Sequence, residues 1–117
     1  MNIKWAPLSK VYPVTEAKEY STFEKSFEMN GIINPIIVVL RNKEEWDKDK
    51  EKYPFFVDFP DEVDHNTQVY QIRCGHNRYK FARQNNHSLI KVLICSEESE
   101  VGERCKEQQR WYKNSYK

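Results

Sequence analysis

The chain has 117 residues, of which 38% are hydrophobic, 32% charged and 14% aromatic. That is enough for one packed core, too short for two, and too aromatic for a disordered polymer. The formal net charge of +1 excludes a global field that would pull the protein onto nucleic acid or an anionic membrane, so any such contact must come from a local patch. No apolar run approaches the roughly 20 residues that span a bilayer. The opening Met1–Pro7 is not followed by the apolar region of a signal peptide. The expected location is therefore cytoplasmic, with no membrane partner. The cysteines Cys74, Cys95 and Cys105 lack zinc-knuckle spacing and read as free thiols, Cys95 as a core residue.

In chain order, Ile3 to Leu8 reads as an edge strand limited by Pro7. Pro13 breaks the chain, and Thr15 caps a short helix with Glu16 and Glu19 near its positive end. A second helix is expected over Thr22–Asn30, with Phe23 and Phe27 on one face and Gly31 as its stop. Ile36 to Leu40 is apolar on both faces and β-branched, which predicts a buried strand. Residues 41–66 are rich in Lys, Glu and Asp, with Trp46, Tyr53, Phe55, Phe56 and Phe59 interspersed. This insert is too long for an ordinary loop. It reads as a short charged helix near Glu44–Lys52 and then an extended aromatic segment packed back on the body, with a flexible flap as the competing reading. Val69–Cys74 is a strand with Val69, Gln71 and Arg73 on one face and Tyr70, Ile72 and Cys74 on the other. A helix over about Arg78–Asn85, a strand over Ile90–Ile94 and a charged C-terminal helix over about 97–112 complete the pattern. The basic and aromatic C-terminal run Arg110–Lys117 either docks through Trp111 or forms a tail that meets a partner. Strands and helices in this order predict a mixed α/β (α+β) fold, one mixed sheet with packed helices, as a single domain over 1–117.

The chemistry concentrates in a strand, a glycine turn and a helix. Gly75 lets an anion approach the backbone, and the first turn of the following helix has unpaired N–H groups and a positive dipole end. His76, Asn77 and the planar fork of Arg78 can add donors. Arg73, Tyr79, Lys80 and Arg83 form a basic and aromatic cluster that suits either a pocket rim or a nucleic-acid contact. Asp58, Asp61, Glu62, Asp64 and His65 are hard ligands close in sequence, readable as a divalent-ion site or as a solvated acidic loop. The solvated loop is favoured, and no metal ligand is assigned.

Two ordered segments resemble the ParB N-terminal domain. Phe23 to Ile36 is similar to that family's first motif, with Ser26, Gly31, Pro35 and Ile36 at matching positions. Gly75 to Ala82 looks like its glycine box, with Gly75, Arg78 and Ala82 matching, Lys80 keeping a charge and Tyr79 an aromatic ring. The resemblance spans about Ile3 to Ile94 without the insert. It implies the ParB/sulfiredoxin-like fold and a nucleotide ligand, CTP as in partition proteins or ATP as in sulfiredoxins; Mg2+ is a separate candidate cofactor. Ser26, Gly31, Gly75, His76, Asn77 and Arg78 would then line the pocket. His76 replaces the family's glutamate and Asn77 its arginine, so slow or absent CTP hydrolysis is expected. The family's third nucleotide box is absent, and the chain has no room for helix-turn-helix and dimerisation domains, so a full partition protein is not expected. The sulfiredoxin cysteine position is His76, which argues against a reductase. The resulting expectation is a nucleotide- or phosphate-binding domain in DNA metabolism, fitting a phage or other mobile element, with DNA as a partner. The alternatives are a metal-dependent nuclease of the same fold and a non-enzymatic regulator that binds another protein.

Overall fold

The structure is a computed structural model that describes residues 2–15 and 35–115. The expected helix over Thr22–Asn30 and the helix after Thr15 lie outside the described residues. The described elements are β1 (Ile3–Pro7), β2 (Val11–Tyr12), β3 (Ile36–Arg41), α1 (Lys43–Lys52), β4 (Val69–Cys74), α2 (His76–Gln84), β5 (Leu89–Ile94) and α3 (Glu98–Ser115). A single turn of 3-10 helix, Leu8–Lys10, joins β1 to β2. The five strands form one mixed sheet in the order β1-β5-β3-β4-β2. β1 runs antiparallel to β5 and β3 antiparallel to β4, while β5 with β3 and β4 with β2 are parallel pairs. The molecule is thus a small α+β domain, and the three strands expected at 36–40, 69–74 and 90–94 share one sheet.

The central place of β3 follows from its composition. Ile36, Ile37, Val38 and Val39 are all buried, as a run that is apolar on both faces requires. Ile36 and Val38 join Tyr70, Ile72, Ile90 and Val92 in a core completed by Tyr79 and Ala82 of α2. Ile37 and Val39 belong to a second core with Leu93, Cys95 and Val101 of α3. α2 therefore covers one face of the sheet and α3 the other.

The 42–68 excursion packs down on the body. Asn42 caps α1, accepting from the Glu45 N–H at 2.9 Å, while Glu45 accepts from the Asn42 N–H, a reciprocal capping box. Trp46 is fully buried and donates from Nε1 to the Val57 carbonyl at 2.8 Å. It packs edge-on to Phe59 with centroids 5.7 Å apart, in a third core with Val14, Phe56 and Val69. The flap reading does not describe this segment.

One strand departs from simple alternation. Along the β3–β4 pair, Val38 faces Ile72 but Ile37 faces Cys74, so β4 carries an extra residue there, Arg73. Such a bulge re-aims the residues beyond it. Cys74 was expected beside Tyr70 and Ile72, but it packs against the core of Ile37, Leu93 and Val101.

Candidate ligand site at the head of α2

β4 delivers the chain to Gly75, whose φ of +101° and ψ of 27° lie in the left-handed region. A Cβ at this position would sit 2.6 Å from Ile36 Cγ2 and 2.9 Å from Arg78 Nη2. Glycine is therefore required by backbone conformation and by packing on β3, before any ligand is considered.

Arg78 follows in the first turn of α2 and is 1% exposed. It donates from Nη1 to the Pro35 carbonyl at 3.0 Å. The side chain points inward and braces the entry to β3. Its charge remains close behind Gly75.

His76 is the first residue of α2. Its Nε2 accepts the Val14 N–H at 3.2 Å. Burial lowers its pKa to about 4, so the ring is neutral at physiological pH and Nδ1 carries the proton. Val14 also accepts at its carbonyl from the Val57 N–H at 2.8 Å. The short stretch around Val14 is thus held between α2 and the excursion. Asn77 stands half-exposed in the first turn of α2. Ser26 and Gly31 lie outside the described residues.

Arg73 is engaged within the protein. Its guanidinium lies 2.8 Å from Glu98 and 3.2 Å from Asp49, with its side chain 6% exposed. Nε donates to Gln71 Oε1 at 2.5 Å. The group also lies over the Phe56 and Tyr53 rings, 5.4 and 5.6 Å from their centroids. Arg41 completes the set, 2.7 Å from the same Asp49 oxygen. Two arginines and two carboxylates thus tie β3 and β4 to α1 and α3. Sequence reasoning missed Asp49 and Glu98 as the partners, because 24 and 25 residues separate them from Arg73 and no local spacing reports the pairing.

The expected residues that do come together are His76, Tyr79, Lys80 and Arg83. With Pro13, Thr15 and Val57 they line an open cleft of about 340 Å³ along α2. At this spacing they share one helix face. Two neighbouring clefts each include a carboxylate, Glu62 in one and Glu98 in the other. Among the described residues, the lining of the α2 cleft contains two cations and no acid.

The acidic run does not assemble a metal centre. Asp58, Asp61, Glu62, Asp64 and His65 are exposed, and Asp58 is engaged by Lys50, which lowers its pKa. Among the described residues no three His, Cys, Asp or Glu side chains could hold a metal ion together. No helix among them is long and apolar enough to cross a membrane.

No protein-family model matches this chain, and no curated protein matches it. Among solved structures, one similar chain is the C-terminally truncated chromosome-partitioning protein ParB from Caulobacter crescentus, in complex with CTP-gamma-S. The TM-score is 0.48 and the identity 13%, over 86% of this chain and 48% of that one. The chain thus spans about half the length of the ParB structure it matches.

Proposed function

We propose that this protein is a ParB-like nucleotide- or phosphate-binding domain acting in DNA metabolism, and that the ligand's phosphates lie in the cleft along α2. The observation that carries this reading is the cleft's lining, which joins Lys80 and Arg83 with Thr15 and, among the described residues, includes no carboxylate. The N-terminal half of α2 adds a positive dipole end, and the buried Arg78 charge lies close behind the glycine turn. Neutral His76 has Nδ1–H as its remaining donor. The Tyr79 ring, though largely buried, borders the cleft and offers an edge to a base. Ser26 and Gly31 belong to this proposal through the sequence motif alone. CTP and ATP are the first ligands to test, and an accompanying Mg2+ would be carried by the nucleotide's own phosphates.

Calorimetry at fixed salt, with CTP, ATP and a short DNA duplex, tests the reading. Each charge-assisted contact is worth about 1.5–3 kcal/mol, so Lys80→Ala and Arg83→Ala should each weaken a mononucleotide on the order of 10-fold or more. Arg83 is exposed on α2, so the thermal stability of Arg83→Ala should hardly change. A DNA ligand would add a steep loss of affinity with salt. Equal nucleotide affinity in wild type and in the double variant would remove the cleft from the function.

A further inference from the structure

The β4 bulge has a chemical consequence on the opposite side of the sheet. It turns Cys74, the last residue of the strand, toward α3, where Cys105 lies two turns into the helix. Both are half-buried and both pack on the core of Ile37, Leu93 and Val101, which places the two thiols on the same side of the sheet. We propose that Cys74 and Cys105 form an oxidisable dithiol, with Cys74 as the thiol attacked by hydroperoxides and Cys105 as the thiol that resolves it into a disulfide.

The surroundings separate the two roles. Cys105 donates its S–H toward Cys74, and the Arg78 guanidinium lies near enough to favour an anion there, which together lower the Cys74 pKa to about 7. The same hydrogen bond and burial push the Cys105 thiol up. Cys74 is therefore the sulfur with thiolate character, and the thiolate is the nucleophile. Cys95 is buried in the same core and pushed up to about 11 by burial, which makes it a poor competitor. No disulfide joins the three cysteines in this structure.

The chemistry balances with a hydroperoxide as oxidant. The Cys74 thiolate attacks the terminal peroxide oxygen, the O–O bond breaks, and the alkoxide or hydroxide leaves and takes up a proton. Cys74 becomes a sulfenic acid, oxidised by two electrons as the peroxide is reduced. The Cys105 sulfur then attacks the sulfenic sulfur. The S–S bond forms, the S–O bond breaks, and the departing hydroxide takes the Cys105 proton and leaves as water. The product ties α3 to the strand end that leads into the Gly75 turn. This inference does not depend on the nucleotide reading.

The test uses the folded full chain and stoichiometric hydrogen peroxide, followed by alkylation, trypsin and mass spectrometry. Cleavage at Arg73, Arg78, Lys91, Arg104 and Lys106 places each cysteine on its own peptide. The expected product joins the Cys74 and Cys105 peptides, lacks two hydrogen masses, and lowers the free thiol count from three to one. Cys95→Ser should behave as wild type. Cys105→Ser should stop at a Cys74 sulfenic acid that dimedone traps, and Cys74→Ser should react no faster than the urea-unfolded chain. A bond that engages Cys95, a cross-linked dimer, or a Cys74 sulfonic acid without any disulfide would each overturn the proposal. The wild-type peptide map decides the matter even where a variant fails to fold.

Discussion

Residues 41–66 read as a charged excursion and residues 75–82 as a ligand box, yet each buries a large side chain. Trp46 is fully buried in the first and Arg78 is 1% exposed in the second. The excursion is held by an apolar device: a tryptophan fills a pocket formed by Val14, Phe56, Phe59 and Val69, and satisfies its one N–H on Val57. The glycine turn is held by a polar device, a buried arginine on a backbone carbonyl and a neutral histidine on a backbone N–H. The difference teaches that the residues of the box nearest the turn serve the fold first. The cleft proposed for a ligand lies along the next stretch of α2, at Lys80 and Arg83.

The sharpest way to break this comparison is to remove the tryptophan. Trp46→Ala should cost about 3–5 kcal/mol, as for other large aromatic truncations in cores, with the loss read from urea midpoints. A cost near zero would mean that 42–68 is a flap after all, and that the third core contributes nothing to stability.

Gly75→Ala comes next, at about 2–3 kcal/mol. The substituted residue must adopt φ near +101° and crowd Ile36, and a left-handed non-glycine residue alone costs on the order of 1–3 kcal/mol. The loss should appear without any ligand. A variant as stable as wild type, but unable to bind nucleotide, would instead make Gly75 a ligand-approach residue and return the turn to the role the motif suggests.

The sequence was legible wherever local pattern decides structure. The β-branched run at 36–40 placed the central strand, and the alternation before Gly75 together with the glycine placed β4 and α2 within a residue or two. The aromatics among the charges of 41–66 suggested a segment packed back on the body, and Phe56 and Phe59 are buried while Phe55 stays exposed. What was not legible depends on pairings across long separations. β2 is only Val11–Tyr12, too short for any periodicity, and it gains its place as an edge strand only by parallel pairing with Tyr70 and Gln71. The bulge at Arg73 is a register event between two strands, so nothing in β4 alone announces it. The burial of Arg73 depends on Asp49 and Glu98, and that of Arg78 on Pro35, whereas a basic residue beside a glycine reads from sequence as a ligand contact. For the same reason the Cys74–Cys105 pairing was not visible: the alternation assigned Cys74 to the wrong face.

The smallest expected effect joins the two regions. His76 titrates at about 4 in the fold against 6.5 for an ordinary histidine, because burial penalises the charged ring. With the folded value depressed, the unfolded chain binds more protons between those two values. The stabilising contribution is therefore complete above pH 6.5 and is lost as the pH falls toward 4. Linkage over that shift gives a loss of about 2 kcal/mol between pH 7 and pH 5. Protonation also fills the Nε2 lone pair that accepts from Val14, and Val14 is the residue whose carbonyl holds Val57 of the excursion. Acid should therefore loosen the Val57 amide along with the head of α2, which amide hydrogen exchange can follow residue by residue. In His76→Gln the amide oxygen can accept from the Val14 N–H but does not titrate, so its urea midpoint should fall less than that of wild type between pH 7 and pH 5. Parallel pH profiles for the two proteins would show that His76 is not the titrating group. Val57 exchange that ignores pH in both would show that the turn and the excursion are held independently.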